Sequence, residues 1–261
     1  MSFQYFDSHS HLNLSDFESD KEEVIKKMAQ DAVGTLTVGT NLNTSKEGVR
    51  LAKENENLFA CIGLHPNESG KEDFNKEDYE KLLGEKTICV GECGLDYFRG
   101  EERTGQEIDF RKQIDFALEN DLPLMLHIRP KKGTFDAYED TISILEEYKK
   151  TASGKLRGQA HFFAGTKEIA QKFLDLGFYI SFTGVITFTT DYDEVLKSVP
   201  IDKILTETDS PFVAPVPYRG QRCEPRYVIE VYKKIAELKN IPLENLKNQI
   251  KENLKKLYKI G

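Results

Sequence analysis

All five histidines of this chain fall in or beside short motifs. His9 and His11 stand in Asp7-Ser8-His9-Ser10-His11, and His65 in Gly63-Leu64-His65-Pro66. His127 closes Leu124-Met125-Leu126-His127, and His161 sits in Gln159-Ala160-His161-Phe162-Phe163. Two acids hold similar positions, Glu92 after Ile88-Cys89-Val90-Gly91 and Asp209 after Ile204-Leu205-Thr206-Glu207-Thr208. Four histidines (9, 11, 127 and 161) and two carboxylates at the ends of apolar runs are the donor set of a two-metal hydrolytic site. Imidazole mixed with carboxylate suits zinc, manganese, iron or cobalt more naturally than magnesium.

Spacing sharpens this reading. In an extended segment, side chains two apart point to one side, so His9 and His11 can share an ion while Ser10 turns away. Glu92 lies between Gly91 and Gly94, where backbone or ligand comes close, and its two oxygens can bridge two cations. Taken singly, each position has a blander alternative. His9 and His11 can be ordinary polar residues at a strand end, Glu92 a helix cap, His127 and His161 satisfied core residues, and Asp209 a loop cap. Taken together, six ligand-type residues at strand ends point to one rim.

The elements that must position them alternate. Strand-like apolar runs occupy 4–8, 34–38, 58–63, 87–92, 123–127, 159–163, 178–182 and 203–206, and several lack polar alternation. Such runs suit strands covered on both faces, as in a parallel sheet wrapped by helices. Helical patterns occupy 18–31, 44–55, 105–119, 135–149, 167–176, 191–199, 226–239 and 243–258. Ser19 with Glu22 and, further on, Thr166 are the expected helix caps. Eight β/α alternations in 261 residues predict an α/β fold, a TIM-type (β/α)8 barrel forming a single domain over 1–261. An open doubly wound sheet normally carries a glycine-rich phosphate loop after its first strand, whereas here that strand ends in His-Ser-His. In a barrel the ends of strands one, four, five, six and eight open on one face, where active sites are built.

Composition excludes some classes. A formal net charge of −8 argues against a protein that coats nucleic acid non-specifically, though not against an enzyme that grips phosphate locally. The cysteines, 61, 89, 93 and 223, form no C-x-x-C pair, so a structural zinc knuckle is not expected, and Cys61 and Cys89 read as core residues. No apolar stretch approaches a membrane span and no leader-like segment opens the chain, so a cytoplasmic location is expected.

The motifs taken in order resemble the TatD family of metal-dependent deoxyribonucleases, within the wider amidohydrolase-like class of barrels. The resemblance runs from Asp7-Ser8-His9-Ser10-His11-Leu12 and Gly63-Leu64-His65-Pro66 through Gly91-Glu92-Cys93-Gly94-Leu95-Asp96-Tyr97 and His127-Ile128-Arg129. It continues through Glu207-Thr208-Asp209-Ser210-Pro211 to Arg222-Cys223-Glu224-Pro225. It implies His9, His11, Glu92 and Asp209 around one metal, and Glu92, His127 and His161 around a second. His65, Arg129, Arg222 and Glu224 would lie near the substrate or support the site. The implied activity is hydrolysis of phosphodiester bonds in DNA, often from the 3′ end. Three departures bear on substrate. His161-Phe162-Phe163-Ala164-Gly165 lacks the family's usual hydroxyl, Cys223 stands where an asparagine is usual, and Pro130-Lys131-Lys132 replaces a common Asp-Ala.

On this reading, two divalent ions (zinc, manganese or magnesium) activate water, Glu92 bridges them and Asp209 accepts the proton. His65, Arg129 and Arg222 meet the substrate, since an arginine's planar fork can contact two phosphate oxygens. The expected partner is DNA, single-stranded or at 3′ ends, with no membrane and a monomeric state. Phe212, Tyr218, Arg219 and Arg222 together suggest stacking of bases after the eighth strand. Two alternatives stand. One is hydrolysis of another ester or amide, such as a lactone or an aminoacyl-tRNA ester, on the same centre. The other is a binding or scaffold protein that has lost catalysis.

Overall fold

Eight apolar runs do become strands, and they close into one wall. The computed structural model describes residues 3–99, 103–152 and 154–260. Its strands are β1 (Tyr5–Ser10), β2 (Val33–Val38), β3 (Leu58–Ile62), β4 (Thr87–Asp96), β5 (Leu124–Arg129), β6 (Gly158–Ala160), β7 (Tyr179–Phe182) and β8 (Ile204–Thr206). All neighbours are parallel and the order around the sheet is β1 through β8. Leu36, Val38, Cys61, Val90, Leu126, Ala160, Ile180 and Leu205 are all fully buried. That burial on both faces explains why the runs lack polar alternation. The seam between β8 and β1 is stitched at the end of β8 and just past it. The Asp209 N–H donates to His9 O (2.9 Å), the His11 N–H to Ser210 O (2.8 Å), and the Thr206 hydroxyl to Phe6 O (2.9 Å).

Two register breaks matter for the site. Asp7 pairs with Thr35 and Ser10 with Thr37, so β1 carries one extra residue around Ser8-His9. Val90 pairs with Leu124 and Cys93 with Leu126, so β4 carries one extra residue at Gly91-Glu92. A bulge of this kind bends the strand and re-aims a side chain, and bulges gather beside active sites. Gly91 and Gly94 make the second break sterically feasible. A Cβ on Gly91 would stand 2.5 Å from Met125 O, and one on Gly94 2.2 Å from His127 O. Both adopt positive φ, +149° and +136°.

The helices are α1 (Lys21–Gln30), α2 (Leu42–Glu54), α3 (Lys76–Glu80), α4 (Arg103–Glu119), α5 (Asp136–Lys149), α6 (Lys167–Asp175), α7 (Asp193–Ser198), α8 (Val228–Leu238) and α9 (Leu243–Tyr258). The short α3 is additional to the expected set; its five residues are too few to show a period. Thr166 caps α6 as expected, accepting from the Ile169 N–H. Ser19 does not cap α1. Asp20 holds that position and makes no side-chain cap bond, because Arg222 takes its carboxylate. Strand β4 runs four residues beyond Glu92, pairing Leu95 with Ile128 and Asp96 with Arg129, while β6 ends before His161. Glu92 therefore lies mid-strand rather than at a strand end, and the β4–β5 pair forms a raised wall beside the mouth. The four cysteines are buried and unpaired, and among the described residues no helix is long and apolar enough to cross a membrane.

Candidate metal centre

Glu92 stands at the middle of a ring of imidazoles. Its Oε2 lies 3.4 Å from His9 Nε2 and 3.6 Å from His11 Nε2. Its Oε1 lies 2.6 Å from His127 Nδ1, 2.8 Å from His161 Nε2 and 3.7 Å from His65 Nε2. Asp209 Oδ1 completes the first group, 3.6 Å from His9 Nε2 and 3.5 Å from His11 Nε2, and those two nitrogens are 3.1 Å apart. The fold thus brings together all six residues expected as ligands, and His65 with them. His9 and His11 reach the same side as the two-residue period requires, while Ser10 turns to Thr35 (2.7 Å).

Whether such a group fits an ion is a question of spacing. Ligands about 2.0–2.1 Å from a tetrahedral ion stand about 3.4 Å from one another. The five distances among His9, His11, Asp209 and Glu92 Oε2 run from 3.1 to 3.6 Å. This first group fits. The second group is drawn in to hydrogen-bond lengths, 2.6 and 2.8 Å, between Glu92 Oε1 and its two closest nitrogens. Its donor chemistry fits a divalent ion too, but its spacing is tighter than a tetrahedral edge.

Neighbouring groups decide which nitrogen faces the mouth. His11 Nδ1 lies 2.9 Å from Val38 O, so Nδ1 carries the proton and Nε2 offers its lone pair inward. His127 Nε2 lies 3.2 Å from Asp96 Oδ2, which leaves Nδ1 to face Glu92. Asp96 is itself held by Asn67 Nδ2 (3.0 Å) and by the Phe98 (3.0 Å) and Arg99 (2.9 Å) N–H groups. His161 Nδ1 faces Glu207 Oε1 at 3.5 Å. The buried Glu207 accepts from Gln159, Ser181 and the Phe162 N–H. His65 differs. Its Nδ1 accepts from the Asn67 N–H (3.0 Å), so in the neutral ring Nε2 carries the proton. His65 therefore presents a donor, not a lone pair. Helix α4 holds the backbone behind these groups with two glutamines about two turns apart on one face. Gln113 clamps Leu64, bonding its N–H (2.8 Å) and C=O (2.9 Å), and Gln106 does the same at Asp96 (2.9 and 3.1 Å).

Electrostatics keep both acids ionised. Burial alone would raise the Glu92 carboxyl, but His161, His9, His65 and His127 hold it well below the usual range. Burial opposes Asp209 in the same way, and His11, His9 and His161 outweigh it. Burial works against charge on His11, His127 and His161, yet their carboxylate partners raise all three. His9 is lowered by burial and by His161, and His65 is pushed down to about 3 by burial and by His127. Both rings are accordingly neutral at pH 7.

The residues expected at the substrate are spread differently. Arg129 closes β5 with its guanidinium 4.3 Å from the centre of the exposed Phe98 ring. Arg222 is engaged elsewhere: its fork binds Asp20 (2.8 and 2.6 Å) and the Asp16 carbonyl (2.7 Å), and it covers Phe17. Glu224 accepts from Arg226 (2.9 Å). Tyr218 lies flat on Tyr227 with centroids 3.8 Å apart, so it pins its own loop. A separate surface cavity of about 730 Å³ between α1 and α2 sets five acids (18, 20, 22, 23 and 54) against Lys21 and Arg50, both already paired with Glu47, so its lining disfavours phosphate.

Asp96, Glu207, Gln106 and Gln113 were not singled out from the sequence. Asp96 had a usable signal, since it lies four residues past Glu92 in an extended run and shares its side of the strand. Loss of such a ligand-orienting carboxylate typically costs 10–100-fold in metal affinity or activity. Asp96→Asn is therefore expected to weaken metal binding by about that factor while leaving the fold intact. Zinc titration with a competing chelator, alongside a thermal melt, checks it.

The model of the TatD related DNase family matches residues 6–259. The uncharacterized metal-dependent hydrolase YabD of Bacillus subtilis is 37% identical, covering 98% of this chain and 99% of its own. The uncharacterized metal-dependent hydrolase YcfH of Escherichia coli K12 is 36% identical, covering 97% and 95%. The crystal structure of YjjV, a TatD homolog from Escherichia coli K12, superposes with a TM-score of 0.89 at 25% identity and full coverage of both chains. The match takes in both bulged strands and every residue around Glu92, and the chain belongs to the TatD-related DNase family.

Proposed function

We propose that this chain is a metal-dependent hydrolase of phosphodiester bonds in DNA that works with two divalent ions and removes nucleotides from the 3′ end. One observation carries the reading: the two oxygens of a single buried carboxylate, Glu92, face two separate groups of nitrogen donors. His9, His11, Asp209 and Glu92 would hold one ion, and Glu92, His127 and His161 the other. Bound there, the ions supply Lewis acidity, acidifying water and offsetting the charge of the phosphate. Asp209 remains anionic and sits beside His9 and His11, so it can accept the proton from an attacking water. Neutral His65 donates from Nε2 toward a phosphate oxygen. Arg129, which has no carboxylate partner among the described residues, adds a fork for the phosphate. Arg222, tied to Asp20, steadies the loop that carries Glu224.

The test is removal and return of metal. Chelation should bring cleavage of a labelled single-stranded oligonucleotide to background, and two equivalents of zinc or manganese should restore it. Turnover that survives exhaustive chelation would remove the metal reading and leave the alternatives open. A centre of this kind is indifferent to the bond it attacks, so lactones and simple esters belong in the same assay. Faster turnover of those than of the oligonucleotide would replace the phosphodiesterase assignment.

A further inference from the structure

Among the described residues six large apolar side chains are exposed: Phe98, Ile108, Phe135, Phe188, Phe212 and Val216. Ile108 lies on the outer helix α4. The other five all lie on segments that follow strands β4, β5, β7 or β8, the face on which the metal centre opens. Scattered apolar residues on a surface are ordinary; five gathered on one face are not.

Arginine shows the same bias. Six of the nine arginines form ion pairs: Arg50, Arg103, Arg111, Arg157, Arg222 and Arg226. Among the described residues Arg99, Arg129 and Arg219 form none. These three also lie on that face, after β4, at the end of β5 and after β8. In a chain with 44 acids against 36 basic residues, carboxylates were available to neutralise them, yet among the described residues none pairs with these three. Two of the three lie on exposed phenylalanines. Arg129 sits 4.3 Å above the Phe98 ring and Arg219 3.8 Å above the Phe188 ring. Around the eight-strand ring the two stacks are about three strand positions apart, so they flank the mouth from different sides.

Resting on the phosphodiesterase reading, we infer that the Phe98–Arg129 and Phe188–Arg219 stacks are subsites for an unpaired nucleic-acid strand that crosses the mouth. A ring with a cation on one face and solvent on the other offers a platform for a base, and the guanidinium can meet the adjoining phosphate. Bases within a duplex are already stacked on one another and cannot use such platforms. The arrangement therefore selects a single strand, and the guanidiniums attract its phosphates in a protein whose net charge is −8. Arg219 keeps one N–H on Ala214 O (2.8 Å), but neither guanidinium has a carboxylate among the described residues, which favours nucleic acid over an apolar partner that would desolvate the charge unpaired.

The test uses the metal-loaded protein and a fluorescein-labelled twelve-residue oligothymidine with phosphorothioate links, read by anisotropy. Phe98→Ala and Phe188→Ala should each weaken binding about 5- to 160-fold, in line with about 1–3 kcal/mol for one base on one ring. Phe98→Leu and Phe188→Leu keep apolar bulk without a π face, and they should fall with the alanine variants. The same oligonucleotide annealed to its complement should bind weakly in every form. Parental affinity in the Phe98→Ala/Phe188→Ala double variant, full rescue by leucine, or equal affinity for the duplex would each overturn the proposal. Its failure is separable from that of the activity. If the unaltered protein binds the strand through these rings but cleaves no phosphodiester, the subsites stand and the proposed reaction falls.

Discussion

Glu92→Gln should lower turnover of an oligonucleotide by about a thousandfold or more, because metal-based charge stabilisation is worth several kcal/mol and each 1.36 kcal/mol is a factor of ten. The substitution keeps the shape of the side chain, so packing at the Gly91–Glu92 bulge is retained. It removes the one negative charge that both nitrogen groups share. An amide offers one carbonyl oxygen where the carboxylate offers two, and its NH2 must face either the His9–His11 side or the His127–His161 side. At least one of the two groups then meets a donor where it needs an acceptor. Metal content after equilibration with excess zinc should fall below that of the parent. A glutamine variant that keeps two equivalents of metal and turnover within tenfold of the parent would show that Glu92 is not the bridge.

Asp209→Asn is expected to lose about 10²- to 10⁴-fold in kcat, the range for a positioned general base. The pH profile separates this role from a structural one. In the parent, Asp209 is held below the ordinary carboxylate range by His11, His9 and His161 against the pull of burial, so it stays a base throughout the acid limb. In the metal-free protein the carboxylate partners of His11, His127 and His161 raise them against burial, so protons compete there with an incoming ion. A raised imidazole keeps its proton to higher pH, and a protonated imidazole cannot ligate metal. Activity and metal affinity should therefore fall together as pH drops, starting above the ordinary histidine value of about 6.5. The asparagine variant lacks the internal base and relies on hydroxide from solvent. Its rate should keep climbing with pH where the parent has levelled off. A variant that levels off at the parental pH and near the parental rate would remove Asp209 from proton transfer.

Much of this was legible in the chain. The eight apolar runs are short and buried on both faces, so a strand reading needs no knowledge of partners, and most helical stretches between them keep a 3.6-residue period; α4 does not, because its buried face carries Gln106, Asp109 and Gln113. Four of the histidines could be located because they stand at or near the ends of apolar runs, and the His9–His11 pair could be oriented because a strand repeats every two residues. Other features have no local signature. Gln106 and Gln113 read as the solvated side of α4, but both are buried and clamp backbone that carries the site. Arg222 and Arg129 look alike as cations beside motifs. Only the fold brings Asp20 to one of them and a bare phenylalanine ring to the other.

The linear chain therefore determined the donor types, their order and the closed α/β cylinder, because side-chain chemistry and hydrophobic period are properties of near neighbours. The tertiary structure alone decided where the donors point. A bulge is an extra residue relative to a partner strand, so the offsets at Ser8–His9 and Gly91–Glu92 exist only once β1 has met β2 and β4 has met β5. Those two offsets stand at His9 and Glu92, which hold the centre of the cluster, and no run of residues read in isolation contains them.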